Sequence, residues 1–216
     1  MTRRVPIVPT IIVLLAALLM VRLGVWQIHR LHEKEALLAR YSANQGKPPL
    51  PLAALFPVDD SALYRRTSAF CLNVAVWRTG AGRAADGTPG WRHIAACRTG
   101  AEGPGILVDM GISADPAAPA WKGGPVRGRL TWVPDDQTWL ARLFTPGPPP
   151  PRTPMLVSDT AAPGLKPTAQ PNPADIPNNH FSYAVQWFLF AGVALIIYGV
   201  ALWQRARKVA LTPPSR

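Results

Sequence analysis

The residues of this sequence that could do chemistry lie where two long apolar runs meet the middle of the chain. Past the end of the first run stand an indole, an amide and two cations, namely Trp26, Gln27, Arg30 and Lys34. The start of the second run carries an imidazole, a phenol and an indole at His180, Tyr183 and Trp187. Such side chains can hold a ligand or a partner, and the same types also form the ordinary interfacial belt of a membrane helix.

The four residues at the first run share one face of a helix. At 100° per residue they fall within about 100° of arc, so a helix that continues past the apolar run presents them as one stripe. Residues 26–41 contain neither Pro nor Gly, and we predict that they form a helical extension. Before His180, Pro177 and the asparagines at 178 and 179 predict a helix start.

The sequence carries none of the common catalytic motifs. It has no Gly-x-Ser-x-Gly, no His-Glu-x-x-His, no Walker-type glycine loop for phosphate and no Cys-x-x-Cys. Neighbouring carboxylates occur at 59–60 and at 135–136. Adjacent side chains point apart on a strand, however, and are common in solvated turns. We therefore expect that the protein is not an enzyme.

The two apolar runs are long enough to cross a membrane. Residues 183–203 make a helix of about 31 Å, and the hydrocarbon core of a bilayer is about 30 Å thick. The first run extends through residue 25, and no small-x-small cleavage site follows it. We read it as a retained anchor rather than a signal peptide. We predict transmembrane helices over 7–25 and 180–203.

Charge predicts the orientation in the membrane. The chain has 23 Lys and Arg and 12 Asp and Glu, and every acid lies between His29 and Ser182. Bases flank the outer ends of the two runs, at Arg3, Arg4, Arg205, Arg207 and Lys208. By the positive-inside tendency we expect both termini, including a tail over 204–216, in the cytoplasm. The middle of the chain then lies outside, in the periplasm for a multi-pass protein of a bacterial inner membrane.

This topology accounts for the basic surplus without nucleic acid. A nucleic-acid binder needs a basic face that neutralises phosphates, commonly with aromatic side chains interleaved. Here the bases between the runs are scattered among acids and form no stripe with interleaved aromatic residues. We expect the membrane lipid, and no nucleic acid, as a binding partner.

Between the helices the sequence predicts one β-rich extracytoplasmic domain over 42–177. Apolar residues alternate over 70–77 and over 126–132, which is typical of half-buried strands. Residues 91–98, 105–112 and 155–160 are further strand candidates. We expect a small antiparallel sheet or barrel, so the fold class is a two-helix membrane protein with an α+β domain.

Glycine and proline mark the connections in this domain. The four glycines and one proline of residues 80–90 predict a turn, and residues 145–154 and 163–177 are proline-rich enough for extended linkers. Cys71 and Cys97 both lie in the domain. An oxidising compartment permits a disulfide between them, but two cysteines leave the bond open.

Two stretches resemble a known family. Gly24-x-Trp26-Gln27-x-x-Arg30-x-x-x-Lys34-x-x-Leu37 and Asn178-Asn179-His180-x-x-Tyr183-Ala184-x-x-Trp187-Phe188 resemble the Surfeit locus protein 1 family of cytochrome c oxidase assembly factors. Weaker matches are Tyr64-Arg65-Arg66 and Val126-x-Gly128-x-Leu130. Where the family has a Leu-Val-Asn-Arg-Gly-Trp-like segment, this chain has Leu107-Val108-Asp109-Met110-Gly111-Ile112. It therefore looks like a divergent bacterial member.

The resemblance implies a membrane protein that helps to mature the largest subunit of a haem a-containing cytochrome c oxidase. It implies that haem a is bound or delivered, with the haem a synthesis machinery as a further partner. His180 would be the axial ligand beside Tyr183 and Trp187. Trp26, Gln27, Arg30 and Lys34 would contact a partner or the haem propionates.

Other interpretations stay open at this point. The same stripe could hold an oxidase subunit in a membrane chaperone without cofactor, and two spans around an exported domain also describe a membrane-anchored sensor. His180 could equally be an interfacial polar residue that hydrogen-bonds a backbone group at the helix end.

Overall fold

Two long helices and one sheet make up the protein. The computed structural model describes residues 6–100, 105–134, 144, 147 and 152–211. Helix α1 spans Ile7–Gln45 and helix α2 spans His180–Leu211. The chain divides into a helical unit, Met1–Leu37 with Pro177–Arg216, and a sheet unit, Leu38–Ile176.

Helix α1 is continuous through the apolar run and beyond it. Pro9 lies in its first turn, where a proline removes no helical hydrogen bond. The helix ends at Gln45, before Gly46 and Pro48, because neither residue favours continuation. It therefore reaches four residues past the extension predicted over 26–41.

Both helices are long and apolar enough to span a membrane. Only 11% of the apolar window of α1 and 6% of that of the second helix is buried. Large side chains such as Ile12, Leu18, Ile196 and Ile197 are more than half exposed. A soluble fold buries such a surface, so this exposure fits a membrane protein.

Small residues bring the two helices together in the helical unit. Ala17, Ala184 and Ala191 are buried there. A Cβ atom on Gly24 would lie 2.7 Å from Cε1 of Phe188, so a larger residue would displace that ring. Close packing on small residues is the usual way in which helices associate where lipid removes the hydrophobic driving force.

The sheet unit contains one sheet of seven strands among the residues described. They are β1 (Leu50–Pro51), β2 (Arg66–Cys71), β3 (Asn73–Arg83), β4 (Pro89–Arg98), β5 (Ile106–Ser113), β6 (Gly124–Trp132) and β7 (Pro154–Ser158). Their order is β1-β2-β6-β7-β5-β4-β3.

The sheet is mixed, so the prediction of an antiparallel sheet is wrong in part. Strand β1 runs parallel to β2, and β5 runs parallel to β7. Strand β7 pairs with β5 and β6, between which it inserts after a long connection. Long connections permit parallel pairing, whereas short hairpins do not.

The predicted strand over 70–77 is also wrong, because the chain changes strand at Leu72. Phe70 is 54% exposed and Leu72 is 56% exposed, whereas Cys71 between them is buried. Of the apolar residues expected inside, Phe70, Leu72 and Val76 are exposed, and Val74 packs against the core. The predicted turn over 80–90 is shorter than expected, since β3 runs to Arg83 and β4 begins at Pro89. The other strand candidates coincide with β4, β5, β6 and β7.

The core of the sheet unit lies on one face of the sheet. Val108, Leu130 and Leu156 are fully buried in it, and Cys71 and Cys97 form a disulfide there. A smaller cluster of Leu107, Met155 and Val157 also packs in the sheet unit. The bond that the sequence left open is therefore present.

Residues 161–170, here called the strap, are bonded to the sheet rather than free. Lys166 and Ile112 exchange two backbone hydrogen bonds of 2.8 and 2.9 Å. Thr168 pairs with Ala84. The predicted linker over 163–177 is thus largely fixed at its start, and it ends with a 3-10 turn at Pro173–Asp175. The predicted linker over 145–154 lies mostly outside the described residues.

The last turn of α1 holds the segment that leads into β2. The amide nitrogen of Asn44, which is 2% exposed, donates to the carbonyl oxygens of Ser61 and Leu63 at 2.7 and 2.9 Å. Tyr64 follows with a φ of 62°, which is rare for an aromatic residue. Its backbone N–H bonds the Leu130 carbonyl at 2.8 Å, so the surrounding contacts hold this conformation.

Candidate functional site on the helix pair

His180 is the first residue of α2. The carbonyl oxygen of Asn179 accepts the backbone N–H of Tyr183 at 3.2 Å, which closes the first helical turn around His180. The helix start predicted from Pro177 and the two asparagines therefore agrees with the structure. This position places an imidazole at one end of the apolar helix.

His180 and Gln27 form a hydrogen bond between the two helices. Nδ1 of His180 lies 2.7 Å from Oε1 of Gln27, and both side chains are partly buried. Gln27 stands one turn after the buried Gly24, and His180 stands one turn before the buried Ala184. Residues one turn apart share a helix face, so the packing of small residues brings these two polar groups together.

Among the described residues, none of the other predicted side chains is hydrogen-bonded to this pair. Trp26 is 52% exposed and Tyr183 is 51% exposed. Trp187 is partly buried and meets Phe190 edge-to-face, with ring centroids 6.2 Å apart. Lys34 is partly buried. The predicted stripe on α1 therefore divides between the helix contact, where Gln27 lies, and the exposed surface.

Arg30 has a partner that the sequence analysis missed. Its Nη1 lies 2.6 Å from a carboxylate oxygen of Glu33, three residues further on α1. Both side chains are more than half exposed. Exposed ion pairs of this kind contribute little stability, so the guanidinium can exchange this carboxylate for another anion. The spacing of three residues in the helix was the signal that could have found the pair.

A second group of buried polar side chains lies in the sheet unit. Asp109 is 1% exposed, and its carboxylate lies 3.3 Å from Nε of Arg92. The other carboxylate oxygen accepts the Gly111 N–H at 3.1 Å. Burial raises the pKa of the Asp109 carboxyl, while the hydroxyl of Thr168 and the charge of Arg92 act in the opposite direction.

His93 is fully buried near this group. Its Nε2 contacts Oγ of Ser113 at 2.8 Å and the carbonyl oxygen of Asp115 at 3.1 Å. The rings of Trp77 and His93 meet edge-to-face. Sequence reasoning missed His93 and the pairing of Asp109. The signal was a lone carboxylate within the apolar run of β5.

The model of the SURF1 family matches residues 14–192 of the chain. The chain belongs to the SURF1 family. This family consists of factors for the assembly of cytochrome oxidase. Comparison with the curated proteins gives no match. In this SURF1-family protein the matched residues include Gln27, His180 and all seven described strands of the sheet.

The structure explains two glycines in the segments that resemble the SURF1 family. Gly24 lies against the ring of Phe188, as described above. Gly128, in the Val126-x-Gly128-x-Leu130 segment of β6, lies against the backbone of β7. A Cβ atom there would overlap the carbonyl oxygen of Val157, a backbone atom that cannot turn away. Close backbone approach is the reason for glycine at this position.

Proposed function

We propose that this SURF1-family protein binds haem a on its helix pair during the assembly of a haem a-containing cytochrome c oxidase. His180 would supply the axial nitrogen. One observation carries the proposal. Nδ1 of His180 is occupied by Gln27, and Nε2 has no hydrogen-bond partner among the described residues. An imidazole nitrogen thus stands free at the end of an apolar, partly aromatic helix pair.

The available ligands fit a haem better than a bare metal ion. In the described part of the chain, no three His, Cys, Asp or Glu side chains lie together as a metal site. A bare zinc ion in a protein takes three or four such ligands. Haem iron needs only axial ligands from the protein, because the macrocycle supplies the rest. A single free imidazole is therefore the ligand set that haem requires.

The neighbouring residues suit the remaining parts of haem a. Trp187 and Tyr183 follow His180 on α2 and offer aromatic surface to the macrocycle. Arg30 and Lys34 on α1 can meet the propionates, since the exposed ion pair of Arg30 with Glu33 can be exchanged. When bound, the haem would bring its iron chemistry, and these residues would hold and orient it. Transfer would follow to the largest oxidase subunit.

The visible spectrum of the purified protein tests haem binding. The full chain is expressed in cells that synthesise haem a, extracted in mild detergent and examined for a Soret band. We expect a band in the natural protein, its loss in His180→Ala and its retention in His29→Ala, which removes an exposed imidazole of α1. A natural protein without a Soret band would contradict the proposal. A band unchanged in His180→Ala would mean that another residue is the axial ligand.

The second candidate function is a membrane chaperone without cofactor. The half-exposed Trp26 and Tyr183 favour it, because aromatic side chains are enriched where proteins meet. In this case the helix pair would hold the largest oxidase subunit directly. The purified protein would carry no pigment, and Trp26→Ala would weaken its association with that subunit while His180→Ala would not.

We further propose that the sheet unit lies in the periplasm of a bacterial inner membrane, with both termini in the cytoplasm. The disulfide between Cys71 and Cys97 supports an oxidising compartment for this unit. Bases at the outer ends of the helices support the same orientation. A reporter that is active only outside the cytoplasm should work when inserted near Gly124 and be silent after Arg216. The opposite pattern would overturn the orientation.

A further inference from the structure

We infer that Gln27 selects the tautomer of the neutral His180 ring, so that Nε2 rather than Nδ1 is the nitrogen available to a metal. The inference deepens the proposed function and rests on it for the identity of the ligand. It concerns the ring itself, however, and can be tested without haem. Gln27 is then a positioning residue that acts through His180.

The hydrogen-bond geometry defines the proton position. The atom of Gln27 that faces the ring is the carbonyl oxygen Oε1, which accepts but cannot donate. At 2.7 Å the contact is at the short end of the normal N–H···O range. With Oε1 as the acceptor, we infer that Nδ1 is the donor and carries the hydrogen. A neutral imidazole has a single N–H, so its Nε2 keeps the free electron pair.

The group that faces His180 is the neutral amide of Gln27 rather than a carboxylate. A carboxylate at position 27 would place a charge next to the apolar run, where burial of a charge is costly. The Gln27 amide accepts the same hydrogen bond without a charge, and it does not titrate between acid and alkaline pH. The tautomer of His180 is therefore specified by a group that is insensitive to pH and adds little electron density to the ring.

The contact also makes the ring orientation depend on helix pairing. Gln27 belongs to α1 and His180 to α2, so the hydrogen bond exists only when the helices pack. Gly24, one turn before Gln27, makes that packing close by admitting the Phe188 ring. A metal-binding histidine is commonly held by a hydrogen bond from its other ring nitrogen to a fixed acceptor. In this protein the acceptor lies on the neighbouring helix.

Two variants of Gln27 separate the roles of the acceptor. Gln27→Leu keeps a side chain of similar size and removes the acceptor. Gln27→Glu keeps an acceptor and adds charge. Gln186→Leu is the matched control, because it removes an exposed amide from the same end of α2.

Nitrogen NMR of the haem-free full chain in detergent tests the tautomer. The protein is labelled with ¹⁵N-histidine, and the His180 signals are assigned by their loss in His180→Ala. We expect the neutral ring to carry its proton on Nδ1 in the natural protein and in Gln186→Leu. Gln27→Leu should give the tautomer mixture of a solvated imidazole. A natural protein protonated on Nε2, or an unchanged ring in Gln27→Leu, would overturn the inference.

Titration with ferric protoporphyrin IX tests the consequence for ligation. We expect Gln27→Leu to bind about 10 to 100 times more weakly than the natural protein, the range observed when outer partners of metal ligands are removed. Gln27→Glu should retain binding, with a lower reduction potential, because a carboxylate makes the imidazole more basic. Equal affinities and potentials in all three proteins would contradict the role of Gln27 while leaving haem binding intact. If the natural protein binds no porphyrin, the proposed function fails, and the NMR result still decides the tautomer.

Discussion

The hydroxyl of Thr168 donates a hydrogen bond of 2.7 Å to the carboxylate of Asp109, and both side chains are almost completely buried. Asp109 belongs to β5, whereas Thr168 belongs to the strap. The contact therefore ties the strap to β5, the strand next to the central strand β7. Backbone hydrogen bonds between Lys166 and Ile112 hold the strap at a neighbouring point.

Replacement of Thr168 by valine should weaken this attachment. Thr168→Val keeps the shape of the side chain but removes one of the two hydrogen bonds to Oδ1 of the buried Asp109, leaving that from the Gly111 N–H. We expect the free energy of unfolding of the sheet unit to fall by about 1 to 3 kcal/mol. Denaturant unfolding of the full chain in detergent, followed by tryptophan fluorescence, measures the change. Thr79→Val on the exposed edge strand β3 is the control and should change stability by less than about 0.5 kcal/mol.

The buried carboxyl of Asp109 predicts a pH dependence of stability. Burial raises its pKa above the value of about 3.9 in an unfolded chain. Above that value the folded state binds more proton than the unfolded state, so the contribution of Asp109 is lost as the pH rises through its raised pKa. Relative to Asp109→Asn, the natural protein should therefore become less stable as the pH rises from about 4. Unfolding curves of the two proteins across this range measure the difference, and a difference that does not vary with pH would contradict the expectation.

The close approach of β7 to Gly128 predicts that adding a single methyl group at this position strongly lowers stability. Gly128→Ala would force a Cβ atom into the carbonyl of Val157, and the backbone of β6 or β7 must move. We expect a loss of more than about 3 kcal/mol, which is enough to lower the yield of folded protein. Gly80→Ala is the matched control, because a Cβ there meets no atom within 4 Å. Equal thermal stability of the two variants would contradict this account of the glycine.

The disulfide should stabilise the sheet unit because it closes a loop in the unfolded chain and so lowers the entropy of the unfolded state. Cys71 and Cys97 are 26 residues apart, and closing a loop of that length corresponds to about 3.5 kcal/mol in the chain-entropy description. The double variant Cys71→Ala with Cys97→Ala should lose a comparable amount. Reduction of the natural protein with dithiothreitol should lower the unfolding midpoint in the same direction. An unaffected midpoint after complete reduction would mean that the bond adds no stability.

The sequence predicted the helical part better than the sheet. Composition and length identify the apolar helices directly. Gln27 follows the end of the first apolar run and His180 precedes the start of the second, so the sequence places both at the helix ends that face the middle of the chain. The hydrogen bond between them could not be predicted. It depends on the rotation and register of one helix against the other, which are set by the packing of Gly24 and Phe188.

Local alternation was misleading in the sheet. Phe70 and Leu72 alternate with Cys71 as a buried strand would, but Cys71 faces inward because the disulfide with Cys97 lies in the core. A period of two residues does not tell which face is covered. The parallel pairing of β5 with β7 joins segments far apart in the sequence, so a local sequence pattern cannot predict it. The ion pair of Arg92 with Asp109 has the same origin, since neighbouring strands bring the two residues together.

The helix pair carries a second polar contact at its other end, where the hydroxyls of Thr10 and Tyr198 are 2.5 Å apart. Along α1, Thr10 and Gln27 are separated by about 26 Å. Sliding one helix by a single turn, about 5.4 Å, would break both contacts together. The hydroxyl of Thr10 would keep its hydrogen bond to the Pro6 carbonyl, but Tyr198, Gln27 and His180 would lose these partners. Contacts at both ends of the pair therefore favour one alignment of the two helices, and the position of the His180 imidazole along α1 depends on residues at both ends.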